Sequence, residues 1–385
     1  MKQNSITSPR LSIIMPFFNH KEVVATMIDS ILANELQDWE LLAVDDGSTQ
    51  DTLDFLKHYE KDVRVHFIQR EREPKGAQTC RNIGLEMARG EYVVFFDSDD
   101  YITPTCLNGR IEAIERHPEL DFIVFRSGIF CDGSFCPEPT NLTFGYPIYR
   151  DDIEAFCTRF LPFVVWNNIY RKRSLVDRHI TWDTKLHSLQ DSMFNLQCLL
   201  AGLKYSYSDT PPDYGYRLST PDSISKKLKS KEHLDSHVYI TEQFFSKIQQ
   251  RYGHRYDHAL YRGALQVLLQ TTRSGILYRD FNLSMSATVR KYSLTWGCIF
   301  SIQVRLFHLL SRFIPFSLAR QLSFLCYLLW SSRKEKRKIG LQKRVKKSIE
   351  QKNEAIKHYH SYLSFREGTQ NSGYGQGKAS NDCRD

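Results

Sequence analysis

This sequence has no Cys-x-x-Cys pair: its nine cysteines are scattered, the nearest approach being Cys131 and Cys136. An odd, unpatterned set argues against a disulfide framework or a structural zinc and for a reducing compartment. The first apolar run, Leu11 to Phe18, is short and interrupted by proline, and no small-residue cleavage site follows. That is not the pattern of a secretion signal, so a cytosolic location is the expectation. No internal repeat is evident. Hydrophobic residues at 41% and charged residues at 25% fit a soluble domain and not a polytopic membrane protein. The 385 residues suffice for one sizeable α/β domain and a second, smaller unit.

Excess charge of one sign is also missing from most of the chain. Between Ser331 and His358 eleven Lys/Arg stand against three Asp/Glu, which accounts for the whole net charge of +8. A basic tail on a neutral body implies an anionic partner surface, either phospholipid headgroups or nucleic acid.

What is present begins with a rhythm of short apolar runs and helix-period segments. Leu11–Met15, Leu41–Val44, Val63–Ile68, Tyr92–Phe96 and Phe122–Phe125 are β-branched, aromatic and leucine-rich, and read as buried strands. Helices are predicted between them over Glu22–Leu32, Thr52–Tyr59, Ala77–Ala88 and Thr105–Arg116. Alternation of this kind gives an α/β fold, a mainly parallel sheet with helices on both faces. From Ser127 to Arg150 glycine, proline and aromatics predict irregular hairpins or a loop. Helical segments at Asp151–Phe160 and Ser188–Ala201 and a strand near Lys204–Ser208 follow. From Ser225 to about Lys357 the pattern is mostly helical, and from Ser361 it is polar, glycine-rich and expected to be disordered. The division expected is 1–225 for a catalytic domain, 226–332 for a helical region, and 333–385 for a basic helix and tail.

Two acidic clusters directly follow apolar strands: Asp45-Asp46-Gly47-Ser48 and Asp97-Ser98-Asp99-Asp100. In an open α/β sheet ligands bind at the carboxyl ends of strands, where both clusters fall. Crowded carboxylates repel one another unless a cation or donors neutralise them, and a hard divalent ion shared with substrate phosphates does so. Either cluster alone reads equally as caps and turn residues. Together, at equivalent strand ends, they point to a site.

The strings Leu11-Ser-Ile-Ile-Met-Pro-Phe-Phe-Asn19 and Val44-Asp-Asp-Gly-Ser-Thr49 resemble the opening of the family-2 glycosyltransferases of GT-A fold. Arg81-Asn-Ile-Gly-Leu-Glu-Met-Ala-Arg-Gly-Glu-Tyr92, leading into Phe96-Asp-Ser-Asp-Asp100, is similar to that family's central block with its D-x-D element. The resemblance covers residues 10–125 strongly and 126–220 more loosely. It implies a GT-A, Rossmann-like sheet, a nucleotide-diphosphate sugar donor of UDP type, a hydroxyl acceptor, and inversion at the anomeric carbon. It assigns Asp46, with Asp45 beside it, to the nucleotide base, and Pro16 and Phe18 to its flanks. Asp97, next to Ser98, holds the ribose or donor sugar and shares with Asp99 a Mn²⁺ or Mg²⁺ bridging the diphosphate. Arg81 either assists the phosphates or makes a surface ion pair.

The family places its general base in a later Glu-Asp-x-x-Phe helix start, and here Gln190-Asp191-Ser-Met-Phe194 matches it with Gln in place of Glu. Asp191 is therefore the candidate catalytic base; a first-turn acid favoured by the helix dipole is the alternative. Tyr214-Gly-Tyr-Arg217 and Ser223-Ile-Ser225 resemble the segment after that helix, where Arg217 reaches the diphosphate or belongs to a Tyr–Arg structural pair. Trp166 suits core packing or an acceptor wall. The Gln-x-x-Arg-Trp element of processive relatives is absent, which implies single additions.

Towards the C-terminus Ile299, Ile302, Leu306, Leu309, Leu310 and Phe313 share one helical face, with Ser301, Arg305, His308 and Arg312 opposite. Phe313–Trp330 is interrupted by Pro315, Arg320 and Gln321, a pattern better suited to the surface of a bilayer than to crossing it. Together with the basic run this suggests a protein peripheral on the cytoplasmic face of the inner membrane. A glycan or lipid-linked acceptor from surface-polysaccharide assembly fits that position. A helical bundle capping the catalytic domain, with a solvated basic tail, is the plainer alternative. Nucleotidyl transfer would want a glycine-rich loop after the first strand, where no glycine precedes Gly47. A non-catalytic membrane- or nucleic-acid-binding protein would spread its charge along the body, so no nucleic-acid partner is expected.

Overall fold

The computed structural model describes residues 8–131, 134–136, 144–147, 151–217, 230–272 and 278–325. The basic run from Arg333, the tail from Ser361 and Ser223-Ile-Ser225 lie outside these residues.

The central strand β1 (Leu11–Phe17) is buried at all seven positions, as expected of a strand covered on both faces. It pairs in parallel with β2 (Trp39–Asp45), and β2 with β3 (Val65–Gln69). On its other side it pairs in parallel with β4 (Tyr92–Phe95). Pro16, which has no N–H to donate, lies beyond the last β1–β4 pair, Ile14 with Phe95, so that ladder loses no bond to it. Val63 is 86% exposed and precedes β3, because Asp62 turns back to pair with Arg64.

After the two-residue β5 (Tyr101–Ile102) comes β6 (Phe122–Val124). A hairpin, β7 (Ser127–Cys131) and β8 (Ser134–Cys136), opens the segment expected to be irregular. Then β9 (Asn168–Arg171) inserts antiparallel between β4 and β6, β10 (Tyr205–Tyr207) lies parallel to β6, and β11 (Tyr214–Arg217) follows. The main sheet thus runs β10-β6-β9-β4-β1-β2-β3, and a small sheet runs β5-β11-β7-β8.

The helices of the α/β part are α1 (Lys21–Leu32), α2 (Gln50–Leu56), α3 (Ala77–Met87), α4 (Cys106–Arg116), α5 (Asp152–Cys157), α6 (Lys172–Val176) and α7 (Gln190–Leu200). They are followed by α8 (Lys231–Tyr252), α9 (Asp257–Thr272), α10 (Arg279–Tyr292), α11 (Leu294–Leu310) and α12 (Phe316–Ser323). Strand alternation divides the core. Ile13, Met15, Leu41, Val94 and Phe96 pack with α1 and α4 on one face. Ile14, Leu42, Val93 and Phe95 face the other way. The apolar residues of α8 to α12, from Leu234 to Phe324, belong to that second cluster, so the later helices share a core with the sheet. Among the described residues no helix is long and apolar enough to cross a membrane.

Candidate active site

The two turns that follow β1 and β2 are tied together before any ligand is considered. Asn19 and His20 adopt left-handed backbone, at φ 53° and 54°. The Asn19 N–H donates to Ser48 Oγ (2.8 Å), and the Thr49 N–H donates to Asn19 Oδ1 (2.9 Å). The Asp45 carboxylate accepts the Ser48 N–H at 2.9 Å, which closes the turn. Asp45 therefore shapes the loop that presents Asp46. Asp46 Oδ1 accepts from Arg70 Nε (2.7 Å), from the Gly76 N–H (2.9 Å) and from Cys80 Sγ (3.7 Å). Its Oδ2 has no partner among the described residues, which leaves one carboxylate oxygen for an incoming donor. Nearby, Phe18 is exposed with Lys75 Nζ 3.7 Å over its ring, whereas Pro16 is buried in the strand.

The second cluster follows β4. Asp97 and Asp99 are half-buried, Asp100 is fully buried, and one carboxylate oxygen from each of the three falls within 4.8 Å of the others. The three carboxylates do different work. Asp100 accepts Tyr214 Oη–H (2.6 Å) on one oxygen and the Arg217 N–H (2.7 Å) on the other, which fastens β11 beneath the cluster. Burial, and then the neighbouring charges of Asp99 and Asp97, push the Asp100 carboxyl well above the usual carboxylate range. Arg217 Nε donates to the Asp99 carbonyl (2.7 Å), so Tyr214 and Arg217 meet at this cluster and not as a pair with each other. The hard carboxylate oxygens of Asp97 and Asp99 are a donor set that suits Mn²⁺ or Mg²⁺. Trp166 is buried and stacked on Tyr214 at 4.6 Å between ring centres, which makes it core.

Arg81 is 5% exposed, so the surface ion pair is excluded. Its Nη2 donates to Asp97 Oδ1 (2.5 Å), its Nη1 donates to Gln190 Oε1 (3.1 Å), and its guanidinium lies 4.5 Å over the Trp182 ring. Gln190 in turn donates to Gln78 Oε1 (2.8 Å). Consecutive residues of α3, Cys80 and Arg81, thus touch Asp46 and Asp97, and one helix spans both acidic clusters. The amide at position 190 contacts Arg81 where a glutamate would have formed an ion pair.

Asp191 stands in the first turn of α7, after Leu189 in left-handed backbone at φ 57°. A leucine there is strained, and such strain gathers at functional sites. Burial raises the Asp191 carboxyl to about 6; the Arg81 charge opposes the rise and the Asp97 charge adds to it. Asp191, Arg81 and Asp97 therefore lie within one another's electrostatic reach. The contacts of Arg70 and Gln78 carried no sequence signal, because each depends on a partner 24 or more residues away. A cavity of about 270 Å³ is lined by Asp45 together with Leu53, Phe67 and Gln69, and not by Asp46, Asp97 or Asp191.

Comparison with known proteins agrees with this arrangement. Residues 12–180 match the family model described as Glycosyl transferase family 2. The chain is 28% identical over 248 residues to the uncharacterized glycosyltransferase EpsJ of Bacillus subtilis, covering 62% of this chain and 69% of that protein. It is 28% identical over 258 residues to the poly(ribitol-phosphate) beta-N-acetylglucosaminyltransferase TarP of Staphylococcus aureus, covering 66% and 74%. The crystal structure of S. aureus TarS residues 1–349 with UDP-GlcNAc has the same fold, with a TM-score of 0.60 at 18% identity over 82% of this chain and 90% of that one. Of the whole TarS protein the chain spans 39%. From the motifs through the sheet order to these relatives, residues 12–180 carry a family-2 glycosyltransferase domain, and the fold is the GT-A fold.

Proposed function

We propose that this protein transfers a sugar from a uridine diphosphate donor to a hydroxyl of a glycan or lipid-linked acceptor, with inversion, in surface-polysaccharide assembly. The observation that carries this reading is the joining of Asp46, Asp97 and Asp191 around α3. It sets a free acceptor oxygen, a pair of hard carboxylates and a carboxyl of raised affinity for protons near the carboxyl ends of β2 and β4.

Each residue then has a task. Asp46 Oδ2 accepts the imide N–H of a uracil whose ring lies against Phe18. Asp97 and Asp99 hold Mn²⁺ or Mg²⁺, which offsets charge on the departing diphosphate. Arg81 keeps Asp97 oriented and adds positive charge beside the phosphates. Asp191 takes the proton from the acceptor hydroxyl as it attacks from the side opposite the leaving group, which inverts the anomeric carbon. The UDP-GlcNAc bound to the TarS fragment supports a uridine nucleotide here, and the poly(ribitol-phosphate) named for TarP supports a polymer acceptor. The work lies on the cytoplasmic side of the membrane. Residues 1–225 supply the catalytic unit, and 226–332 and 333–385 the helical region and the tail.

A thermal-shift panel of nucleotide sugars, with and without Mn²⁺, tests this, because a true donor stabilises the fold by mass action. A UDP-sugar should raise Tm in Mn²⁺ and not in a chelator, and Asp99→Ala should abolish that difference. No shift with any donor and ion would overturn the proposal.

A further inference from the structure

The C-terminal helices have a second apolar side. In α11 the inward face is Gly297, Phe300, Val304 and Phe307, all buried, with Phe307 packed on Phe316 (5.1 Å) and Phe324 (5.8 Å) of the α12 region. Once that face is fixed to the bundle, the stripe Ile302, Leu306, Leu309 and Phe313 is turned outward. Its spacing of four, three and four residues follows one side of a helix. The α12 region repeats the arrangement with Leu318, Leu322 and Leu325. These seven side chains are 40–76% exposed. Single exposed leucines are ordinary, but two periodic stripes on adjoining helices are not.

Charge identifies the occupant. From Phe281 to Lys334 the sequence holds no Asp or Glu. Arg305 and Arg312 are exposed beside the α11 stripe, and Arg320 is half-buried on α12. Beyond Leu325 the chain continues as Cys-Tyr-Leu-Leu-Trp330, and the basic run begins at Arg333. An apolar face edged by arginines, free of acids and continuous in sequence with a polycation, complements an apolar boundary lined with anions.

We propose that the outer faces of α11 and α12 form an interfacial docking surface for a bilayer rich in anionic phospholipid. Ile302, Leu306, Leu309 and Phe313 enter the acyl boundary, and Arg305 and Arg312 meet the headgroups. The bundle then holds the catalytic sheet at a fixed side of the membrane. That this side offers an acceptor to Asp191 rests on the transferase reading; the docking itself does not.

The test is co-sedimentation of the full-length protein with vesicles of phosphatidylglycerol and phosphatidylcholine, or of phosphatidylcholine alone, at low and high salt. Wild type should pellet with the anionic vesicles and release in high salt. The triple substitution Ile302→Ser, Leu309→Ser, Phe313→Ser should lower the partition coefficient roughly tenfold or more. Gln at Arg333, Lys334, Lys336, Arg337 and Lys338 should weaken binding at low salt. Because the three apolar residues are exposed, the triple variant should keep the wild-type Tm and donor-induced shift. Equal binding by the triple variant, or no binding by wild type, overturns the proposal. So does a dimer of the wild type that the triple substitution dissociates without any vesicle binding, since a second copy would then cover the face. A protein that binds vesicles yet shows no donor shift keeps this surface and loses the enzymatic reading.

Discussion

Replacing Asp191 by Asn separates two accounts of this residue, a catalytic base and a helix-starting acid, because they predict opposite changes in stability. Burial raises the carboxyl to about 6, so in the folded protein the proton is held more tightly than in the unfolded chain. A raised folded pKa contributes stability below the unfolded value of about 4, and that contribution is lost as pH rises through about 6. At pH 7.5 the charged Asp191 is thus a burden on the fold, and Asn should relieve it by on the order of 1 kcal/mol. An acid kept only for the helix dipole would instead lose a few tenths of a kcal/mol on substitution. Turnover moves the other way. A positioned base contributes about 10² to 10⁴ in rate, so a thousandfold loss, about 4 kcal/mol, is the central expectation. The base must be ionised, so kcat for wild type should fall as pH drops through about 6, to about a tenth at pH 5. Steady-state transfer assays from pH 5 to 8, beside thermal melts of both proteins, read out every part. Transfer by Asp191→Asn within tenfold of wild type, or a lower Tm with unchanged turnover, would refute the reasoning.

Two further expectations concern the scaffold. Arg110 is fully buried, with two 2.7 Å bonds to Asp213 and one of 2.9 Å to the Trp166 carbonyl. Arg110→Met strands the Asp213 charge and should cost about 3–5 kcal/mol, seen as a marked fall in Tm; an unchanged Tm would contradict it. A Cβ on Gly84 would come within 2.4 Å of Ile14 Cγ2, where α3 crosses β1. Gly84→Ala should cost about 1–3 kcal/mol and weaken UDP binding, measured by calorimetry, because the displaced helix carries both Cys80 and Arg81. Tight binding retained alongside a lowered Tm would mean that α3 does not hold the site.

Much of this was legible in the sequence. The buried strands appear as unbroken apolar runs, since a strand covered on both faces has no reason to alternate. The acidic pairs at Asp45–Asp46 and Asp97–Asp100 are visible because each directly follows such a run, and chain order alone sets them at strand ends. Asp191 is singled out by the order of motifs, and its helix start is local.

What the tertiary structure alone decided are the partnerships between distant residues. Asp100 stands in the same acidic string as Asp97 and Asp99, yet Tyr214 and Arg217 claim both its oxygens. Arg81 looks like a surface residue until Trp182 and Gln190 close over it. The two sides of α11 are both apolar enough to be buried, and only the packing of Phe307 on Phe316 and Phe324 selects which is hidden. Helical and strand periods depend on neighbours a few residues apart, so they are written in order along the chain. Hydrogen-bond partners and the choice between two apolar faces depend on what the fold brings near.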